Sequence, residues 1–213
     1  MKTKAKIKPL LRGHSHQAAF FTAIGACSVL FLNAQGDKTI LATLIYSFGL
    51  IALFGVSALY HRPTWQPDQR MWMRRLDHAT IYIMIAGSST PICLLALSPI
   101  VGTKLLQLVW FAAFFGIIQS LFWVNAPKWL SAVMYVTVGC LVIPYLPELR
   151  AALSLQDIWL LLSGGVVYTI GAIIYALRKP DPFPEIFGYH EIFHLLVIAG
   201  AAMHFLVIQK LLK

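Results

Sequence analysis

Seven apolar runs, each with few or no charges, dominate the chain: Ala18 to Ala34, Ile40 to Tyr60, Asp77 to Leu97, Leu105 to Val124, Trp129 to Leu146, Leu155 to Leu177 and Phe187 to Ile208. A helix needs roughly 20 such residues to cross the hydrocarbon core of a bilayer. In lipid the backbone must satisfy its own hydrogen bonds, which leaves helices or closed barrels. Barrel strands alternate lipid-facing and lumen-facing residues, whereas these runs are continuous, so they predict helices. With 59% hydrophobic and 12% charged residues, the chain carries about half the charge of a soluble domain. A water-soluble globular enzyme is excluded. The expected fold is all-α: a polytopic membrane protein with a seven-transmembrane-helix bundle, short connections and no appended soluble module. It divides into a basic amino-terminal segment, residues 1–16, and a transmembrane domain, residues 17–213. The string Ile24-Gly25-Ala26-Cys27 mimics a lipoprotein cleavage box, but the apolar run continues through Phe31 and Leu32, so the first run reads as a retained helix.

Orientation follows from the lysines and arginines. With the amino terminus inside, cytoplasmic segments hold Lys2, Lys4, Lys6, Lys8, Arg12, Arg62, Arg70, Arg74, Arg75, Lys128, Arg178 and Lys179, twelve of the 17. Lys38, Lys104, Arg150, Lys210 and Lys213 fall on the other side. The positive-inside rule then places the amino terminus in the cytoplasm and the carboxyl terminus outside, in an inner (plasma) membrane. The net charge of +9 is a collar for anionic lipid headgroups and calls for no nucleic acid. Cys27, Cys93 and Cys140 sit singly in three spans and read as small apolar residues, not as a disulfide or metal cluster.

Polar groups within hydrocarbon are costly unless paired, ligated or wet, so the few present are informative. Most carboxylates fall in loops or at span ends; Asp77 and Glu191 remain. His14 and His16 fall in the amino-terminal segment, leaving His61, His78, His190, His194 and His204 to explain. His190 and His194 are four apart, about 6 Å along a helix axis and within roughly 40° of one face. That suits two nitrogens converging on a metal ion, and the string His190-Glu191-Ile192-Phe193-His194 is the HExxH pattern of zinc peptidases. Two hydrogen-bonding histidines near an interface would share the spacing. The proposed topology brings Ser57, His61, Asp77, His190 and His194 to one depth near the inner leaflet. Three imidazoles plus a water make an open tetrahedral Zn2+ site of the catalytic kind. A carboxylate such as Asp77 could orient a ligand imidazole or take a proton from that water, and Ser57 could hold the water or a developing oxyanion.

The stretches Ser57-Ala58-Leu59-Tyr60-His61, Arg75-Leu76-Asp77-His78-Ala79-Thr80-Ile81-Tyr82, Ile85-Ala86-Gly87 with Thr90-Pro91, and His190 to His194 resemble the hemolysin III family, the bacterial branch of the progestin and adipoQ receptor (PAQR) family. The resemblance runs from the second span to the end, including Gly164-Gly165 and Tyr168-Thr169-Ile170-Gly171. It implies a seven-helix fold with zinc near the cytoplasmic leaflet, His61, His190 and His194 as ligands, and Asp77 and Ser57 beside the water. It also implies a role in membrane-lipid or membrane-energetics homeostasis and a likeness to lipid amidases of the alkaline ceramidase group. Ser89 departs from the pattern, where a tyrosine is expected.

The other polar residues have plainer readings. His78, one residue after Asp77, points about 100° away and suits a helix-end hydrogen bond. His204 lies about 21 Å beyond His190 along the axis and suits an interhelical hydrogen bond. Glu191 ranks behind Asp77 as a base, or faces the basic rim. The six tryptophans read mostly as interfacial residues. The expected function is zinc-dependent hydrolysis of a lipid amide or ester entering from the inner leaflet. The alternatives are a non-enzymatic sensor with a structural zinc, an intramembrane zinc protease resting on HExxH alone, and a cytolysin.

Overall fold

The structure, a computed structural model, describes residues 8–212. Lys2, Lys4, Lys6 and Lys213 of the charge census lie outside the described residues, as does the first part of the basic segment. The elements in order are α1 (His14–Asn33), α2 (Asp37–His61), α3 (Pro67–Pro91) with a π-helical extension (Ile92–Ala96), α4 (Pro99–Phe122), α5 (Lys128–Gly139), a 3-10 turn (Cys140–Tyr145), α6 (Leu146–Ala152), α7 (Leu155–Leu177) and α8 (Tyr189–Leu211). They form seven helical stretches long and apolar enough to cross a membrane. The extension of α3 belongs to the third, and α5 through α6 form the fifth. The protein is a multi-pass membrane protein, as the seven runs predict.

Two boundaries differ from the hydropathy reading. The third span begins at Pro67, ten residues before Asp77. Its opening turns carry Arg70, Arg74 and Arg75, which lower hydropathy without opposing a helix, and it starts with proline at N1 and a Gln66–Gln69 capping box. Asp77 therefore sits well inside α3. At the far end of this span Pro91 has no N–H to give the preceding turn, and the helix continues as the wider Ile92–Ala96 turn. The fifth span likewise passes through a tight turn around Pro144 before α6 carries it to Ala152.

α3 touches α2, α4, α5 and α8, and it is the most enclosed span. The others surround it, with α1 against α2, α4 against α5, α5 against α7, α7 against α8, and α8 against α1. The α2–α3 contact is backbone-close. A Cβ at Gly49 would lie 3.3 Å from the Ile83 carbonyl oxygen, and one at Gly87 3.2 Å from that of Ile45. Small residues permit such approach, and van der Waals packing between closely apposed backbones helps drive helix association in lipid. The outer surface carries large exposed apolar side chains, among them Phe48, Phe111, Phe122, Ile100 and Leu32, as a lipid-solvated perimeter requires.

α1, α3, α5 and α8 start at the end of the bundle where α2 and α7 finish. Nine described basic residues gather there: Lys8, Arg12, Arg62, Arg70, Arg74, Arg75, Lys128, Arg178 and Lys179; Lys38, Lys104, Arg150 and Lys210 belong to the opposite end. At that opposite end Lys210 Nζ lies 2.5 Å from Asp157 Oδ1, and the Ser154 hydroxyl donates to Asp157 Oδ2 at 2.6 Å. This network joins the start of α7 to the end of α8.

Candidate metal centre

The last turn of α2 and the first two turns of α8 build the centre. Ser57 and His61, one helical turn apart, are both buried on the inner face of α2. α8 is held firmly at its start. Glu191 Oε2 accepts from the Gly188 N–H at 2.8 Å, its other oxygen pairs with Arg12, and Asp181 Oδ1 accepts from the Tyr189 N–H at 3.0 Å. Satisfying these otherwise unpaired donors at the helix start fixes the turns that bear His190 and His194, both buried.

The three imidazoles converge. Ring centroids lie 4.7 Å apart for His61 and His190, 5.1 Å for His61 and His194, and 4.5 Å for His190 and His194. One nitrogen from each falls within 4.8 Å of the others, and the Nε2 atoms of His61 and His190 are 3.1 Å apart. Tetrahedral ligands about 2.0–2.1 Å from an ion have nitrogens a little over 3 Å apart, so these residues fit a metal ion with small ring rotations. His194 Nδ1 is buried with no hydrogen-bond partner, as suits a ring placed for something other than protein hydrogen bonds. Three buried histidines could thus hold a metal ion.

Asp77 enters from α3. Its Oδ2 lies 3.9 Å from His61 Nε2, and Ser57 is a hydrogen-bond partner of its carboxylate. His61 Nε2 is also the nitrogen that faces His190, so the carboxylate approaches the converging side of the ring. It does not lie behind His61 at Nδ1, where a carboxylate that only orients a ligand would sit.

The remaining candidates separate. Both oxygens of Glu191 are engaged, by Gly188 and Arg12, so it faces the basic rim. His78 is half-buried outside the converging set, near Arg74 and Lys128. His204 Nε2 lies 3.1 Å from the Leu161 carbonyl oxygen of α7, an interhelical contact. The Ser89 hydroxyl donates to the Ile85 carbonyl of its own helix at 2.9 Å. Trp110 lies midway along α4, away from the span ends, and its Nε1–H donates to Thr90 Oγ1 at 3.1 Å. All three cysteines are free, with Cys27 and Cys93 buried and Cys140 exposed.

His14 and His16, which precede the first apolar run, belong to the first turn of α1. His16 is buried and stacks on His194 with centroids 3.8 Å apart and planes 8° from parallel. The chain before it lies against the centre. Leu10 and Leu11 N–H groups donate to the Glu185 and Ile186 carbonyls at 2.9 and 3.0 Å, and Lys8 Nζ donates to the Arg62 carbonyl at 2.8 Å. Partial burial, then the charges of Arg62, Arg70 and Arg12, lower the pKa of Lys8 below its ordinary value. Gly13, at φ 82°, closes the turn; a Cβ there would come within 2.7 Å of His61 Cβ. The signal that could have found His16 is a helix start four residues earlier than the apolar run, directly after that glycine.

Comparison with known proteins places the chain in a family. The model of the family described as "Haemolysin-III related" matches residues 4–205. "Hemolysin-3" of Bacillus cereus is 32% identical over 194 residues, covering 90% of this chain and 85% of that protein. "Hemolysin-3 homolog" of Bacillus subtilis (strain 168) is 35% identical over 187 residues, covering 87% and 84%. The human "Monocyte to macrophage differentiation factor" is 28% identical over 176 residues, covering 79% and 69%. With a seven-span helical bundle, three converging histidines and a family match over nearly its whole length, the chain belongs to the haemolysin-III related family.

Proposed function

We propose that this protein is a zinc-dependent hydrolase of lipid amides or esters that acts on the cytoplasmic leaflet in membrane-lipid homeostasis. The observation that carries the reading is the place of Asp77: a carboxylate 3.9 Å from His61 Nε2, on the side where the three imidazoles converge. The donor set, three neutral nitrogens and no thiolate, matches open zinc sites of hydrolytic enzymes. Zinc bound there would supply Lewis acidity toward a carbonyl oxygen and make a water nucleophilic near neutral pH. Asp77 takes the proton of the attacking water and returns it to the departing nitrogen or oxygen. Ser57 orients the carboxylate through its hydroxyl. The basic end of the bundle, facing the cytoplasm, attracts anionic headgroups, and the substrate enters between helices from the membrane.

A second reading, a membrane-state sensor in which zinc ties α2 to α8, is favoured by the way residues 8–11 join the same two helices, Leu10 and Leu11 bonding the segment before α8 and Lys8 the Arg62 carbonyl at the end of α2. Asp77→Asn discriminates. For the hydrolase, the variant keeps fold and zinc but loses turnover of lipid amides or esters by about 10²–10⁴-fold, with the dependent cellular phenotype. Full complementation of a deletion strain by zinc-loaded Asp77→Asn protein would favour the sensor.

A further inference from the structure

We propose that His16 is a fourth histidine of the metal centre, a positioning residue that hydrogen-bonds whatever occupies the position left open by His61, His190 and His194. The inference rests on the metal reading of those three. His16 is 2% exposed, and both its ring nitrogens are buried with no well-formed hydrogen bond, the main chain of His194 lying beside the ring. Buried polar atoms are seldom left so, and a side chain needed only to fill space would be apolar. Its neighbours are the His194 ring, parallel at 3.8 Å, and the edge of Phe54 at 5.1 Å.

The stack itself argues against a fourth ligand. Two imidazoles on one tetrahedral ion point their lone pairs toward a common centre at about 109°. Parallel rings cannot do so without unstacking, and His16 is absent from the set of nitrogens that converge within 4.8 Å. Its ring instead lies one ring thickness from a ligand, where a nitrogen can serve the neighbouring coordination position. The chain holds it there firmly. Arg62, at the end of α2, contacts His14 Nε2 at 2.7 Å and donates to Gln17 Oε1 at 2.9 Å, bracketing His16, and the Gly13 turn brings the helix start against His61.

The test measures Zn2+ affinity of the detergent-solubilised full chain by chelator competition, and counts imidazoles on bound zinc by X-ray absorption. His16→Phe keeps ring stacking but removes both nitrogens; His16→Gln restores a hydrogen-bonding group. Circular dichroism and monodisperse elution certify the fold of each. Expected are three imidazoles in all proteins, affinity lowered about 10–100-fold in His16→Phe, and most of that recovered in His16→Gln. Wild-type affinity in His16→Phe would reduce His16 to packing and overturn the proposal. One imidazole fewer in His16→Gln than in wild type would make it a ligand and overturn it equally. Wild-type protein that takes up no zinc would overturn the metal reading itself, a result seen before any variant is compared.

Discussion

Arg12→Met tests whether the segment before α1 holds the centre together. Glu191 is nearly buried, its side chain 3% exposed, and Arg12 is 19% exposed, so this pair is not the surface kind that contributes about 0–1 kcal/mol. Removing one partner of a buried pair strands the other charge, which typically costs about 3–5 kcal/mol. Here Glu191 keeps its bond from the Gly188 N–H and water can reach the vacated space, which places the loss at the lower end, about 3 kcal/mol. Glu191→Gln should cost less, because an amide oxygen can still cap Gly188 and no charge is stranded. The double variant should recover part of the Arg12→Met loss, a coupling of about 2 kcal/mol. Unfolding by SDS titration in mixed micelles reads all four proteins. Because the first turns of α8 carry His190 and His194, Arg12→Met should also weaken zinc binding. An Arg12→Met protein within about 1 kcal/mol of wild type, the range of surface pairs, would refute the reasoning and make the contact peripheral.

Purified protein should contain about one zinc per chain, and His61→Ala, His190→Ala or His194→Ala should each lower it sharply while His204→Ala does not; unchanged metal content in the three would refute the ligand assignment. A periplasm-active reporter fused after Lys213 should be on, as the partition of positive residues requires; activity of a cytoplasm-only reporter there would move the centre to the outer leaflet. Gly13→Ala should destabilise by at least about 1–2 kcal/mol, the cost of a left-handed backbone for an L residue, since its Cβ would also meet His61 Cβ at 2.7 Å. Thermal unfolding in detergent measures this, and an unshifted midpoint would mean that the turn rearranges freely.

Bilayer thickness and backbone hydrogen bonding act on each segment separately, so the seven helices were legible in the apolar runs alone. So were the pairs Ser57 with His61 and His190 with His194, because four residues return a helix to nearly the same face whatever surrounds it. Hydropathy could not see the first turns of α3, where arginines at a helix start depress the signal. Nor could it see that α1 begins at His14. The side of His61 approached by Asp77 depends on how α3 packs against α2 through Gly49 and Gly87, an approach between segments that no local period records. The same holds for Glu191, which HExxH spacing marks as a base and Arg12 and Gly188 hold at the rim. His16 meets His194 only because a left-handed glycine turns the chain over His61 and Arg62 brackets the helix start. Sequence alone determined the spans and which residues share a helix face, since both follow from geometry within one helix; the meeting of faces from different helices was decided by tertiary packing, which depends on close approach across the whole bundle.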